Sequence, residues 1–202
     1  MMYTQKEFEI LTNKYGKYAS WAIWDYYKAR NKEKSVEPIY NNLKILNSRY
    51  VLVGLNISSP VEIWTNFRGG KHDRKLKYAF NDSILKGSYM TDLFKTDINV
   101  NSFNYYESIK ENHKLIERNV SLFVNEMADL KISSDTTFII FGTEKSLITK
   151  LYKTYFQKHF TNIKVIYHRH YSSRGFDKDW VESIWNELNI QANFKEIKEK
   201  YK

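Results

Sequence analysis

The sequence predicts an α/β protein of three layers, in which helices cover both faces of a central four-stranded, mostly parallel sheet. Short apolar runs alternate along the chain with helical patterns of about ten or more residues, as in βαβ crossovers. Two of these runs, Val51–Leu55 and Phe138–Phe141, are apolar throughout, as expected of strands buried on both faces. A chain of 202 residues can bury one substantial core, so we expect a single domain.

Each predicted element follows from the spacing of apolar residues or from a turn signal. Residues 1–48 are expected to form N-terminal helices, the first covering about thirty residues, while residues 49–176 hold the sheet and residues 177–202 the C-terminal helix. The predicted strands are Tyr50–Leu55, Gly87–Phe94, Thr137–Phe141 and Ile163–His168. The other predicted helices are Val36–Leu46, one marked by Leu76, Ala79 and Phe80, one from Ile109 to Leu130, one capped by Thr143 and one from Asp177. Asn99–Asn104 is expected to be a loop, and Phe194–Lys202 a solvated helical end.

The composition indicates a nucleic-acid partner and excludes several kinds of site. The formal net charge of +9 favours a polyanion, because each neutralised phosphate releases counterions, although a generic Lys-rich surface gives the same charge. The chain has no cysteine, which excludes disulfides, a thiolate nucleophile and an iron–sulfur cluster. It has no apolar stretch of membrane-spanning length and no signal-peptide pattern, so we expect a cytoplasmic protein that does not bind membranes.

A cluster of polar residues ends or follows each predicted strand. Because the carboxyl ends of parallel strands meet at one edge of a sheet, these clusters are expected to converge on a single crevice, where ligands bind in open α/β sheets. Asn and Ser at such positions also form turns and caps, which is the alternative role of Asn56 with its serines, and the alternative role of Asp92 is to cap a neighbouring helix. The clusters are Asn56 with Ser58 and Ser59, Thr91 with Asp92, Thr143 with Glu144, and His168 with His170 and Ser172.

A basic loop lies between the first two predicted strands. Its cations precede a predicted helix, whose free backbone N–H groups favour anions, so they are candidates for phosphate contacts. These cations are Arg68, Lys71, Arg74 and Lys75. Phe67, beside Gly69 and Gly70, either stacks on a ligand or belongs to the core. His168 and His170 have the spacing of one strand face, but no acidic or thiol partner supports a metal site, and we expect none.

Together these motifs resemble the uracil-DNA glycosylase superfamily. Val53–Ser58 is similar to the family's first-strand motif of the type G-x-N-P, and Gly87–Lys95 to its second-strand motif, with Thr-Asp in place of Thr-Asn. Phe138–Leu147 resembles the strand–Gly–helix unit before the last motif, and Ile166–Phe176 resembles the H-P-S-P-type motif. The resemblance implies a uracil-DNA glycosylase-like fold.

The resemblance also implies a role in DNA repair, since a DNA glycosylase flips a modified or mismatched base out of the duplex and hydrolyses its N-glycosidic bond. Asn56 corresponds to the position that orients the attacking water, and His170 to the one that stabilises the departing base, with His168 as the second candidate. The implied base-binding residues are Phe67, Asp92, Ser58 and His168. The implied DNA contacts are Arg68, Lys71, Arg74, Lys75, Ser172, Arg174 and Phe176, and either of the last two would fill the gap left by the base.

We expect a monomer that works without a cofactor or a metal. Two other functions agree with the same residues: a non-catalytic nucleic-acid-binding module of this fold, and a nucleoside or nucleotide hydrolase that uses the crevice without duplex contacts. Asp92, where the family has an amide, predicts a preference for a base edge rich in hydrogen-bond donors.

Overall fold

The computed structural model describes residues 3–26, 34–59, 61–96, 105, 109 and 111–201. These residues form an α/β fold built on one mixed sheet. The strands are β1 (Ser20–Trp21), β2 (Asn47–Asn56), β3 (Ser88–Phe94), β4 (Thr137–Phe141) and β5 (Lys164–His168). The helices are α1 (Gln5–Tyr15), α2 (Glu37–Tyr40), α3 (Arg74–Phe80), α4 (His113–Asp129), α5 (Leu147–Leu151), α6 (Asp177–Glu187) and α7 (Phe194–Glu199). In the part of the chain described, no helix combines the length and the apolarity that crossing a bilayer requires.

The sheet has the strand order β1-β3-β2-β4-β5. Strands β2 to β5 run parallel to their neighbours, and β1 pairs antiparallel with β3 at the edge. After β2 the chain first adds β3 on one side and then crosses to β4 on the other. The connections therefore diverge between β2 and β4, and a crevice opens there at the carboxyl ends of the strands.

Helices pack on both faces of the sheet, and the alternation along β4 shows why. Phe138 and Ile140 point to the core under α1, α4 and α5, whereas Ile139 and Phe141 point to the core under α3, α6 and α7. Successive side chains of a strand face opposite ways, so a strand that is apolar throughout needs cover on both sides. The predicted α/β architecture with a mostly parallel sheet is confirmed, with five strands instead of four.

The additional strand corrects the prediction that the first thirty residues are helical. Helix α1 begins at a capping box formed by Thr4 and Glu7 and ends at Tyr15. The chain then extends into β1, where Ser20 pairs with Met90 of β3. Buried apolar residues at helical spacing continue past the end of α1, because a buried edge strand needs apolar residues just as a helix face does.

Three smaller corrections concern helix boundaries. The predicted helix Val36–Leu46 divides into α2 and a separate 3₁₀ turn, Leu43–Ile45. Helix α5 is capped by Ser146 instead of Thr143, since the Ser146 hydroxyl accepts a hydrogen bond from the Thr149 N–H. The charged C-terminal segment forms a separate helix, α7. Its Phe194 and Ile197, together with Tyr201 just after the helix, are buried against α3 and α6. The predicted loop Asn99–Asn104 lies outside the described residues.

Candidate functional site

A cavity of about 600 Å³ opens at the carboxyl ends of β2 and β4, where the chain connections diverge. Its volume lies within the range of small-molecule sites. Its walls come from the end of β2, the loop before α3, β3, the start of α5 and the loop after β5. Of the residues predicted from the sequence, the cavity is lined by Asn56, Ser58, Phe67, Lys71, Asp92, His170 and Ser172.

Phe67 forms an aromatic wall of the cavity and is only 8 % exposed. Its backbone has a φ of 61°, a left-handed conformation that is uncommon for a bulky residue and is concentrated at functional sites. The Asn66 side-chain oxygen accepts a hydrogen bond from the Phe67 N–H at 3.1 Å and holds this turn. Gly54 of β2 makes the space, because a Cβ there would meet the Phe67 ring edge and overlap Asp92 Oδ1.

The Asp92 carboxylate lines the cavity beside the Phe67 ring and is 4 % exposed. Its Oδ2 accepts a hydrogen bond from Asn66 Nδ2 at 2.8 Å. Burial raises the pKa of Asp92 to about 6, while the Asn66 hydrogen bond and the Lys95 charge act in the opposite direction. Asp92 is therefore mostly ionised at pH 7 and acts as a hydrogen-bond acceptor.

A buried polar network lies on the other face of β3. The Lys95 ammonium and the Glu126 carboxylate form an ion pair at 2.9 Å, and both side chains are fully buried. Thr91 and Tyr89 each donate a hydroxyl hydrogen bond to Glu126 Oε1, at 3.0 and 2.9 Å. The Lys95 ammonium also donates to the Asp92 backbone carbonyl. This network fixes the end of β3 and brings a positive charge near the Asp92 carboxylate.

His170 faces the cavity as a neutral imidazole. Its Nδ1 accepts a hydrogen bond from the Ser172 N–H at 3.1 Å and contacts the Ser172 hydroxyl at 2.7 Å, so the ring proton resides on Nε2. Burial, and secondarily the nearby His72, lower the pKa of His170 to about 4. The ring stacks on Tyr171 with centroids 4.4 Å apart. An imidazole held in this way donates one hydrogen bond from Nε2 at neutral pH.

His168 does not line the cavity, which corrects the expectation that it contacts the base. Its Nδ1 lies 2.6 Å from Glu187 Oε2 and its Nε2 lies 3.2 Å from the Ser183 hydroxyl, both on α6. Strand β5 ends at His168, so the alternation that places every second residue on one face does not extend to His170. Of the two histidines predicted from the sequence, His170 is thus the one that lines the cavity.

Arg68 is not available to phosphate either, contrary to its predicted DNA contact. Its guanidinium is buried and donates hydrogen bonds to Ser20 Oγ and to the backbone carbonyls of Trp21, Ile23 and Ser35. These acceptors belong to a part of the chain distant in sequence. Through them Arg68 joins β1 and its neighbouring residues to the loop that carries Phe67. A guanidinium with several donors suits this task because one group satisfies several carbonyls.

Lys75 is the second predicted DNA contact that the structure buries. It is 1 % exposed, and its ammonium donates to the Ser173 backbone carbonyl at 3.0 Å. Arg74 is partly exposed and pairs with Asp177 at the start of α6, with a distance of 2.5 Å from Nε to Oδ2. Both cations therefore fasten α3 to neighbouring segments.

The remaining predicted contacts lie at the protein surface. Lys71, Ser172 and Arg174 are exposed, and Lys71 and Ser172 belong to the cavity rim. Phe176 is 80 % exposed, which is unusual for a large aromatic side chain. It follows Gly175, whose φ of 119° permits the sharp turn that presents this ring.

Several cavity residues were not predicted as site residues: Asn66, His72, Asp73, Ser146 and Tyr171. Asp73 had a local signal, because Asp side chains in turns often bond to nearby backbone groups, and its Oδ2 accepts a hydrogen bond from the Gly70 N–H at 2.7 Å. Asn66 had no local signal, because its partners Tyr18 and Asp92 are distant in sequence.

Asn56, at the end of β2, is half-buried, and its Nδ2 donates a hydrogen bond to the Ile57 carbonyl at 3.1 Å.

Comparison of the chain with protein-family models, with curated proteins and with solved structures finds no match. The residues that line the cavity define its chemistry. Aromatic walls suit a flat ring, the Asp92 carboxylate accepts hydrogen bonds, and the neutral His170 donates one. Asn56 can both donate to and accept from a ligand or a water.

Proposed function

We propose that this protein is a DNA glycosylase-like hydrolase with the uracil-DNA glycosylase fold, which extracts a modified or mismatched base from DNA and cleaves its N-glycosidic bond. The observation that carries the proposal is that Asn56, Phe67, Asp92 and His170 come from four separate segments and line one cavity. At these positions the resemblance implies water orientation, base stacking, base recognition and stabilisation of the departing base. The position of the cavity at the diverging connections of a parallel sheet also supports a ligand site.

Base flipping is supported by the aromatic walls of the cavity. The rings of Phe67 and Tyr171 have centroids 6.3 Å apart, and Phe141 lies behind Tyr171 at 5.4 Å. Stacking of a base on such rings contributes about 1–3 kcal/mol per base. This stacking energy offsets the few kcal/mol that it costs to unstack the base from the duplex. The cost is smallest for a mismatched or damaged base.

The proposed reaction adds one water to the sugar. The water oxygen bonds to C1′, the C1′–N bond breaks, and its electron pair leaves with the base. His170 Nε2–H donates to the base carbonyl oxygen, where negative charge accumulates, and such donors act most strongly when fixed in advance. Asn56 has no basic group, so it orients the water, whose proton passes to solvent or to the departing base. The rate then depends on how well the base leaves.

The proposed DNA contacts come from exposed residues near the rim. Lys71 and Arg174 bind phosphates on either side of the target, and the overall charge of +9 adds sequence-independent attraction. Phe176, 80 % exposed, enters the duplex and occupies the space left by the flipped base. The buried Arg68 and Lys75 take no part in this contact.

Gel analysis of abasic product tests the proposal. Oligonucleotides carry uracil, mismatched or hypermodified bases, and alkali cleaves any strand that has lost its base. We expect product on at least one substrate, and a rate reduced about 10²–10³-fold in His170→Ala. The matched control is His159→Ala, an exposed histidine outside the cavity, which should keep the wild-type rate.

Two outcomes would replace the proposal with its alternatives. Salt-dependent DNA binding that persists in His170→Ala and Asn56→Ala, with no product on any substrate, indicates a non-catalytic binding module. Activity on free nucleosides, together with a shallow salt dependence, indicates a small-molecule hydrolase.

A further inference from the structure

One oxygen of the Asp92 carboxylate faces the cavity without a donor. Oδ2 is occupied by Asn66 Nδ2 at 2.8 Å, whereas no residue in the described part of the chain donates a hydrogen bond to Oδ1. Asp92 is 4 % exposed and lines the cavity, with Oδ1 next to Gly54 and the Phe67 ring edge. This oxygen is not sealed off from solvent, so a hydrogen-bond donor of a ligand that enters the cavity can reach it.

The orientation of the Asn66 amide is fixed, which makes the acceptor character of this wall definite. Asn66 Nδ2 donates both to the Tyr18 carbonyl and to Asp92 Oδ2, each at 2.8 Å, and Asn66 Oδ1 accepts from the Phe67 N–H. Exchanging the oxygen and nitrogen of Asn66 would break all three bonds. Asp92, whose pKa of about 6 leaves it mostly ionised at pH 7, thus presents only an acceptor.

The cavity is also lined by a donor, the Nε2–H of His170. Asp92 lies on β3 and His170 follows β5, and in the sheet these strands are separated by β2 and β4. His170 lies beyond the end of β5, in a loop whose Tyr171 ring comes within 6.3 Å of the Phe67 ring, and both Asp92 and His170 line the cavity.

We propose that the cavity selects a cytosine-type base, whose exocyclic amino group donates to Asp92 Oδ1 and whose ring carbonyl accepts from His170 Nε2–H. Cytosine carries both groups on one edge of its ring, on either side of N3, whereas uracil and thymine carry a carbonyl where cytosine carries its amino group. That carbonyl would direct its lone pairs at a buried carboxylate. Adenine has the amino group but no carbonyl for His170. This inference rests on the proposed function, because it names the base that the same cavity takes.

The variant Asp92→Asn is predicted to replace the hydrogen-bond acceptor at the cavity wall by a donor without changing the shape of the side chain. Because Asn66 Nδ2 requires an acceptor, the new amide must turn its oxygen towards Asn66 and its NH₂ group towards the cavity. The wall then offers a donor, which suits the O4 carbonyl of uracil and opposes the amino group of cytosine.

The test compares two duplexes that differ only in the exocyclic group of one base. Each carries cytosine or uracil opposite an abasic-site analogue, so that neither base is paired and the cost of flipping is similar. Binding is measured with Asn56→Ala, in the presence and absence of Asp92→Asn, and abasic product is measured with the wild-type protein. A hydrogen bond to a charged group is stronger than a neutral one, so we expect at least about tenfold tighter binding of the cytosine duplex.

With Asp92→Asn the uracil duplex should bind more tightly than the cytosine duplex. Equal binding of the two duplexes to Asn56→Ala, including no measurable binding of either, overturns the inference even if Asp92→Asn does not fold. So does preferential excision of uracil by the wild-type protein. If cytosine is preferred in binding but no duplex yields abasic product, base selection stands and the proposed hydrolysis fails.

Discussion

Lys75 and Ser173 are joined by a hydrogen bond across 98 positions of the chain, from the Lys75 ammonium to the Ser173 carbonyl at 3.0 Å. Lys75 lies at the beginning of α3, and Ser173 lies in the loop that carries His170. Because Lys75 is 1 % exposed, this bond is shielded from water. It ties α3 to the loop of His170, the residue proposed to stabilise the departing base.

Replacing Lys75 with methionine removes this donor and keeps most of the side-chain volume. We expect Lys75→Met to lower the free energy of unfolding by about 1–3 kcal/mol, because the charge-assisted hydrogen bond to the partly buried Ser173 carbonyl is lost. Denaturant unfolding measures the difference. The same substitution at exposed Lys71 is the control and should change stability by less than about 0.5 kcal/mol while weakening DNA binding. Equal stability of the two variants would contradict the structural role of Lys75.

Arg68 is predicted to affect the stability of the fold, and Arg174 is predicted to affect DNA binding. Arg68→Gln should destabilise the fold by about 3 kcal/mol or more, because the buried guanidinium donates to four acceptors that lose partners together. Arg174→Gln should leave stability unchanged and reduce the salt-dependence slope of DNA binding by about one. Unfolding curves and binding titrations at several salt concentrations give both quantities. A reduced slope in Arg68→Gln at temperatures where it is folded would show that Arg68 does contact phosphate.

The raised pKa of Asp92 predicts how stability depends on pH. In the folded protein this pKa is about 6, against 3.8 for an ordinary Asp, so the folded state binds the proton more strongly. Its contribution to the free energy of unfolding is fully present below about pH 4 and is lost as pH rises through 6. Asp92→Asn has no such loss. We expect the variant to gain about 1–3 kcal/mol relative to wild type between pH 4.5 and pH 7.5. A stability difference that is the same at both pH values would show that Asp92 titrates normally.

Phe176 is predicted to matter for DNA and not for folding. Because it is 80 % exposed, Phe176→Ala should change the free energy of unfolding by less than about 0.5 kcal/mol. It should reduce base flipping, measured as the fluorescence increase of 2-aminopurine placed beside the target base. Ile84→Ala, another exposed apolar residue at 51 %, is the control. Equal fluorescence changes for the two variants would remove Phe176 from the duplex contact.

The sequence predicted those elements whose signals are local. Strand Thr137–Phe141 has the observed limits because its apolar run is uninterrupted and ends at Gly142. The convergence of Asn56, Asp92 and His170 followed from one general rule, that parallel strands end at the same edge of a sheet. Neither prediction depended on knowing which distant segments meet.

The errors have the opposite cause, since each involves partners that are far apart in sequence. Arg68 and Lys75 were expected to be surface cations because they lie in a glycine-containing basic segment, and nothing nearby reveals the carbonyls that they bind. Strand β1 was read as part of a helix because a two-residue strand gives no period of its own, and its pairing partner Tyr89 is distant. His168 was placed at the base because its strand was expected to continue further than it does.

The short strand β1 has an effect far larger than its length. Its antiparallel register with β3, continued past Ser20, places Tyr18 beside Asp92, and Asn66 bonds to both residues. Without this segment β3 would become the edge of the sheet, and water would reach the Asp92 carboxyl group from the side. A fragment beginning at β2 would retain every side chain that lines the cavity. Its Asp92 carboxylate would nevertheless be hydrated, and the proposed difference in affinity between a base with an amino group and a base with a carbonyl would be small. The N-terminal segment thus keeps the dielectric constant around the Asp92 carboxylate low, although none of its side chains that the structure describes lines the cavity.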